Sequence, residues 1–115
     1  MKLDRSEAIA KILEYLVRLN EKAAGVMDEN AKGGSTLYHI TRDAFVDTTT
    51  QKEARIKEFL NILISKELVT RTTMGDRKEY YDVTEYGIKF YKDNLKNVIE
   101  RIYPDKETWN RNKEL

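Results

Sequence analysis

Hydrophobic residues near the N-terminus repeat at the spacing of a helix. From residue 6 onward, apolar side chains recur at intervals of three and four, which predicts an amphipathic helix with Ser6 as its N-cap. Its apolar positions are Ile9, Ile12, Leu13, Leu16, Val17 and Leu19. Residues 23–36 are small or polar and contain three glycines, so we expect them to form a loop.

Two more helices are predicted in the middle of the chain. A short one runs from residue 37 to about residue 45, with Ser35 or Thr36 as its cap and an inward face of Leu37, Ile40 and Ala44. A longer one runs from residue 51 to about residue 66. Its inward stripe is Ile56, Phe59, Leu60, Leu63 and Ile64, and its opposite face carries Gln51, Ala54, Arg55, Glu58 and Ile62.

The pattern then changes to that of two strands. Residues 68–73 and 79–83 are rich in Thr, Val and Tyr, which favour the pleated, half-buried surface of a strand. The five residues between them, 74–78, are expected to form a turn that bends at Gly75. Two adjacent cations lie at the tip of this predicted hairpin.

A long helix is predicted at the C-terminal end. Thr84 can cap it, and it runs to about Tyr103 because Pro104 cannot continue a helix. Five apolar residues in it are spaced by three and four, as in a heptad seam: Ile88, Tyr91, Leu95, Val98 and Ile102. This seam favours a homodimer, and the alternative is that the whole stripe packs on its own domain.

The order of these elements predicts a mainly α protein with a small β-hairpin. A two-stranded hairpin is too small to be stable alone, so it must pack against the helices. We interpret residues 1–103 as one winged helix-turn-helix domain, with a three-helix core, a two-stranded wing and a long C-terminal helix at about 84–103. Residues 104–115 form a polar tail.

Composition argues against several classes of protein. The chain has no cysteine and one histidine, His39, and it contains no nucleophile or phosphate-loop motif. We therefore expect no catalytic residues, no cofactor and no metal, and the protein is not expected to be an enzyme. No apolar run approaches the ~20 residues of a membrane span, and the N-terminus lacks a signal-peptide core. These features predict a cytoplasmic protein with no membrane partner.

The charge distribution and the fold together predict binding to double-stranded DNA. The net charge is only +1, but Lys and Arg outnumber Asp and Glu by three in residues 48–78. The second helix of a helix-turn-helix presents its N-terminal part to the major groove. The predicted contacts from this part are Thr48, Thr49, Thr50, Gln51, Lys52 and Arg55, with the threonines on phosphates and Gln51 and Arg55 on bases. The predicted wing contacts are Arg71, Arg77 and Lys78.

A second function stays open beside DNA binding. Winged helices also serve as docking modules for other proteins, and the near-neutral net charge favours that alternative. An apolar Ile62 on the outward side of the third helix would also suit a protein contact better than a phosphate-lined groove. Taken alone, each cation fits an ordinary solvated surface better than a DNA contact, and the winged-helix context reverses that preference for Arg55, Arg77 and Lys78.

Two stretches resemble a known group of regulators. "RKEYYDVTEYGIKFYKDNL", residues 77–95, resembles the wing-to-helix passage of small prokaryotic winged-helix transcription regulators of the MarR and PadR types and their archaeal relatives. "ILISKELVTR", residues 62–71, resembles their passage from recognition helix to first wing strand. Glu67 stands where such families usually have the helix-ending glycine. The likeness is closer to minimal archaeal and archaeal-virus proteins that dimerise through a C-terminal helix.

Overall fold

The computed structural model of the chain describes residues 3–26, 34–45 and 51–102. The protein is mainly helical with one two-stranded antiparallel hairpin. The helices are α1 (Arg5–Val26), α2 (Leu37–Asp43), α3 (Glu53–Ser65), α4 (Glu85–Phe90) and α5 (Lys96–Ile102), and the strands are β1 (Val69–Thr73) and β2 (Glu79–Val83). A π-helical turn, Tyr91–Leu95, joins α4 to α5. The predicted polar tail, 104–115, lies outside the described residues.

α1 begins earlier and ends later than the sequence predicts. Asp4, not Ser6, is its N-cap: Asp4 Oδ1 accepts from the Glu7 backbone N–H at 2.8 Å, and Glu7 Oε1 accepts from the Asp4 N–H at 3.1 Å. This reciprocal pair is a capping box, which satisfies two backbone donors at once, whereas Ser6 would satisfy one. The helix continues to Val26, so the first residues of the predicted loop 23–36 are helical.

α1 is the central element of the core. The predicted apolar residues Ile12, Leu13, Leu16 and Val17 are buried, while Ile9 and Leu19 are half-buried. Two charged residues of the same helix, Lys11 and Glu14, are also buried, and Glu14 Oε1 lies 2.7 Å from Arg18 Nε. A helix buried on nearly all sides is one that other elements surround.

Part of the predicted loop pairs with the hairpin. Ser35 and Tyr81 exchange two backbone hydrogen bonds, of 2.8 and 2.7 Å, so Ser35 forms an isolated β-bridge to β2. Gly34 precedes it with φ +78°, and a Cβ on Gly34 would collide with the carbonyl oxygen of Tyr81. Only glycine allows the backbone to approach β2 this closely.

α2 and α3 follow the sequence expectation with small shifts. Thr36 caps α2 by accepting from the His39 N–H at 3.3 Å. Ile40 and Ala44 are buried as predicted, and Leu37 is half-buried against the core. α3 buries Ile56, Phe59, Leu60 and Leu63, and Ile64 is half-buried. α3 begins at Glu53, two residues later than predicted.

α3 ends in a Schellman turn without the usual glycine. The Leu68 N–H donates to the Leu63 carbonyl at 3.0 Å, and the Glu67 N–H donates to the Ile64 carbonyl at 2.9 Å. Glu67 adopts φ +61°, a left-handed conformation that residues with a Cβ rarely adopt. The missing glycine noted in the sequence is therefore replaced by a strained glutamate.

The hairpin has the predicted strands, and its register is fixed at both ends. Val69 lies opposite Val83, Arg71 opposite Tyr81, and Thr73 opposite Glu79. These pairs share the inner face of the hairpin, since side chains two residues apart lie on the same face. Val69, Val83 and Tyr81 are buried, so this face of the hairpin packs against the helices.

Candidate nucleic-acid interface

The exposed face of α3 is polar and lies opposite its buried stripe. Its exposed residues at helical spacing are Ala54, Glu58, Asn61 and Ser65, with Lys57 exposed on the adjoining flank. Glu58 lies in this exposed row, and Glu53 adds a second carboxylate in the first turn of the helix. Because of this mixture, only a few positions on α3 are suited to contact an anionic ligand.

Two predicted residues of α3 lie elsewhere. Ile62 is not on the outward face: it is half-buried and packs against the core near Phe90. Arg55 shares the flank of Ile62, and its guanidinium carbon lies 5.3 Å from the centre of the Phe59 ring. The helical period of 3.6 residues explains the positions of Arg55 and Ile62, since residues 55, 59 and 62 form one row along the helix.

The other predicted DNA contacts lie at or before the start of α3, and they differ in exposure. Gln51 precedes the helix and is half-buried, so it does not belong to the outward row of α3. Lys52 is the N-cap residue of α3 and is exposed, and its side chain makes no capping hydrogen bond. Thr48, Thr49 and Thr50 lie outside the described residues.

The hairpin and α3 meet through a polar contact. Arg71 lies on the inner face of β1, and its Nη1 is 3.5 Å from Asn61 Oδ1 on α3. Both side chains are exposed. The sequence analysis named Arg71 but missed Asn61, although residues 54, 58 and 61 already carried the spacing of one helix face.

The tip of the hairpin is a compact turn closed by its own backbone. The Met74 N–H donates to the Lys78 carbonyl at 3.0 Å, and the Arg77 N–H donates to the Met74 carbonyl at 2.9 Å. Gly75 and Asp76 are the central residues of the turn that this second bond closes, so the predicted bend at Gly75 is confirmed, and Arg77 after them has a left-handed φ of +65°. Arg77 and Lys78 follow the bend, and both are exposed.

Asp76 adds a negative charge to the same turn, directly before Arg77 in the sequence. Its Oδ1 accepts from the Lys78 backbone N–H at 3.0 Å, and its Oδ2 accepts from the Tyr80 hydroxyl at 2.8 Å. These hydrogen bonds lower the pKa of Asp76 below its ordinary value, so the carboxylate stays ionised at neutral pH. The tip therefore carries two positive charges and one negative charge.

A groove of about 710 Å³ lies between α2, α3 and the hairpin. Lys57 of α3 and Lys78 of the hairpin both line it, together with the aromatic side chains of Tyr38 and Tyr80. Tyr38 is 60% exposed. Of these four residues only Lys78 was predicted as a contact; Tyr38 was missed because α2 was treated as a core helix only.

The predicted dimer seam is interrupted by the π-helical turn. Tyr91, where the turn starts, is 6% exposed and belongs to the chain's own core, which corrects its assignment to an intermolecular seam. Ile88, Leu95 and Val98 are half-buried against that core, and the side chain of Ile102 lies outside the described part. A π turn inserts an extra residue, so a strict heptad cannot continue through it. Dimerisation stays a prediction.

A second groove, about 420 Å³ in volume, runs beside the C-terminal helices. Its walls include Ile62, Phe90 and Leu95, and Tyr86 at its edge is 57% exposed. The Tyr86 and Phe90 rings pack edge to face with their centres 6.3 Å apart. This groove is apolar and distinct from the one beside the hairpin.

Within residues 3–26, 34–45 and 51–102, no three His, Asp or Glu side chains lie close enough to hold a metal ion. In the same ranges, no helix combines the length and apolar character that crossing a bilayer would require. No protein-family model, curated protein or solved structure matches the chain.

Proposed function

We propose that this chain is a winged helix-turn-helix protein that binds double-stranded DNA and regulates transcription in the cytoplasm. In the proposed complex, the outward face of α3 enters the major groove, and the hairpin serves as the wing on the adjacent minor groove or backbone. The function is binding without catalysis, and it requires no cofactor or metal.

The order and packing of the elements support the winged-helix interpretation. α2 packs against α3, as in a helix-turn-helix. The Ser35 bridge lies between α1 and α2 and joins the β2 edge of the hairpin, so the hairpin is anchored to the helical core through backbone hydrogen bonds. A hairpin held in this way has the rigidity that a wing needs.

The observation that carries the proposal is the contact between Asn61 and Arg71. Because their side chains lie 3.5 Å apart, the outward face of α3 and the hairpin form one continuous polar surface. The Asn61 amide can pair with an adenine edge, and the Arg71 guanidinium can bind a guanine edge or a phosphate. We therefore propose Asn61 in the base-reading role that the sequence analysis gave to Gln51.

Phosphate contacts are proposed for the cations around this surface. Lys52 and Arg55 lie at the start of α3, Lys57 lies on its flank, and Arg77 and Lys78 lie at the hairpin tip. Thr48, Thr49 and Thr50 precede α3 and would contact phosphates in this proposal. Glu58 suits DNA only where it can accept a hydrogen bond from a cytosine amino group.

A titration of labelled random duplex followed by anisotropy tests the proposal. We expect binding at low salt that weakens steeply as the salt concentration rises, since phosphate contacts release counterions. Selection from a random library should then enrich a defined sequence. Absence of binding at low salt would contradict the proposal.

A second candidate is a winged-helix docking module without DNA binding. The apolar groove beside Ile62 and the exposed Tyr86 favour it, because an apolar surface rimmed by polar residues is typical of a protein contact. A homodimer through the C-terminal helices would use the same groove. The two candidates are separable, since the groove of Tyr86 and the surface of Asn61 lie on different flanks of α3.

A further inference from the structure

The groove beside the hairpin combines features that three separate elements contribute. The start of α2 supplies Tyr38 and His39, α3 supplies Lys57, and the hairpin supplies Lys78 and Tyr80. Its volume of about 710 Å³ lies within the ~300–1,000 Å³ range of small-molecule sites. A single strand of nucleic acid or a free small molecule can enter it, whereas a whole duplex cannot.

One wall of the groove is an exposed but ordered aromatic ring. Tyr38 is 60% exposed, yet its ring is held by two neighbours. The His39 ring packs edge to face at 5.3 Å, and the Arg42 guanidinium carbon lies 5.4 Å from the ring centre. Arg42 is itself fixed by its ion pair with Asp43, at 2.7 Å. Such a ring can accept a flat aromatic ligand with little loss of conformational freedom.

A second aromatic ring in the lining, that of Tyr80, is also ordered. Tyr80 is half-buried, and its hydroxyl donates to Asp76 at 2.8 Å, which fixes the ring orientation. Glu79, the anionic residue of the lining, accepts from the Tyr81 hydroxyl at 3.4 Å. Its carboxylate is therefore engaged on the inner side of the hairpin.

The two lysines give the groove a positive charge. Lys57 and Lys78 come from different elements, both are exposed, and within the described part of the chain neither forms an ion pair. With Glu79 as the lining carboxylate, the groove carries a net charge of +1 when His39 is neutral. A ligand with one flat aromatic group and one phosphate matches both the rings and the ammonium groups.

We infer that this groove binds an unpaired nucleotide, with its base against the Tyr38 ring and its phosphate between Lys57 and Lys78. The inference rests on the proposed nucleic-acid function, because the two lysines belong to both surfaces. A base inside a duplex is stacked on its neighbours and cannot reach the ring, so the ligand is an unpaired residue of a strand or a free nucleotide. Base stacking on tyrosine tolerates any sequence, so the site adds affinity without base selection.

Anisotropy with two labelled probes tests this inference: a twelve-residue oligothymidylate and a random duplex of equal length. We expect Tyr38→Ala to weaken oligothymidylate binding by roughly tenfold, the effect of losing one stacked base, and to change duplex binding less than twofold. Tyr38→Phe keeps the ring and should bind like the parent. Asn97→Ala is the matched control, since Asn97 is exposed, carries no charge and lines neither groove.

The outcomes separate the inference from the proposed function. Oligothymidylate binding that depends on Tyr38, without duplex binding, supports the inference and removes the proposed duplex function. Duplex binding without oligothymidylate binding supports the proposed duplex function and removes the inference. Equal effects of Tyr38→Ala and Asn97→Ala would overturn the inference. Unlabelled thymidine monophosphate, added as a competitor, then distinguishes the two sources of the nucleotide. Displacement of the oligothymidylate at millimolar concentration shows that a free nucleotide is sufficient. If no displacement occurs, the ligand is a residue of a strand.

Discussion

Thr84 and Gly87 are joined by a hydrogen bond that fixes where the C-terminal helices begin. Thr84 Oγ1 accepts from the Gly87 N–H at 2.8 Å and also lies 2.8 Å from the Glu67 carbonyl oxygen, to which it donates. The same hydroxyl thus caps α4 and holds the end of α3. The Thr-Glu-x-Gly sequence has a physical reason here, because the cap brings the Gly87 backbone against the Leu68 carbonyl.

Gly87→Ala should destabilise the fold. A Cβ at Gly87 would collide with the Leu68 carbonyl oxygen and would lie 2.8 Å from Val83 Cγ2. We expect the free energy of unfolding in urea to fall by about 2 kcal/mol, as for other overpacked sites. Gly75→Ala is the control: no atom lies within 4 Å of its Cβ position, so its effect should stay within about 0.5 kcal/mol. Equal effects at both positions would refute the packing argument.

Glu67→Gly should stabilise the protein. Glu67 holds a left-handed backbone at φ +61°, and glycine adopts that conformation without the steric cost of a Cβ. We expect the free energy of unfolding to rise by about 1 kcal/mol, measured as a higher urea midpoint with an unchanged slope. Glu67→Ala removes the charge but keeps the Cβ, so it should give no such gain. A gain of the same size from alanine would assign the effect to charge instead.

The hairpin tip should lose order in acid. Backbone and Tyr80 hydrogen bonds lower the pKa of Asp76 below its ordinary value of 3.8. A lowered pKa in the folded state means that these bonds stabilise the tip above about pH 4, and that this contribution is lost as the pH falls through the folded pKa. In an NMR titration, Tyr80→Phe should raise the Asp76 pKa, because it removes one donor. An unchanged titration curve would show that the Tyr80 bond does not form.

Removing the tip cations should weaken DNA binding without changing sequence preference. For the double variant Arg77→Ala/Lys78→Ala, we expect the slope of log affinity against log salt to flatten by about 1 for each lost phosphate contact. Lys89→Ala, an exposed cation on α4, is the control and should leave the slope unchanged.

Asn61→Ala should change the sequence preference of DNA binding without changing its salt dependence. It removes no charge, so the salt slope should stay the same, while preference at one base pair should relax by about 1–3 kcal/mol. Uniform loss across all sequences in both variants would mean that α3 does not read bases.

Self-association should depend on the apolar groove of the C-terminal helices. Leu95→Asp and Tyr86→Glu both place a charge in that groove, and Tyr86 is exposed, so its replacement should not unfold the monomer. By light scattering we expect a parent mass of twice 13.5 kDa and a single 13.5 kDa species for both variants. Asp93→Asn alters an exposed charge on the same segment and should remain dimeric. A monomeric mass for the parent protein would contradict the predicted dimer.

Features governed by neighbouring residues were predicted well. The stripe of α3 from Ile56 to Leu63 followed from helical periodicity, and the two strands followed from their Thr, Val and Tyr residues. The caps at Thr36 and Thr84 followed from side chains that bond backbone donors three residues ahead. The Asp4 capping box could have been found in the same way, because Asp4 and Glu7 have the required spacing.

What only the tertiary structure decided depends on residues far apart in the chain. Ser35 pairs with Tyr81 through backbone hydrogen bonds, and no local pattern near Ser35 predicts that pairing. Ile62 was predicted to face outward, but it is half-buried because the C-terminal helices pack on its flank. The sequence alone predicted the type and order of the main helices and strands, because local periodicity and propensity depend on near neighbours; the docking of those elements decided which polar side chains, Asn61 and Tyr38 among them, share a surface.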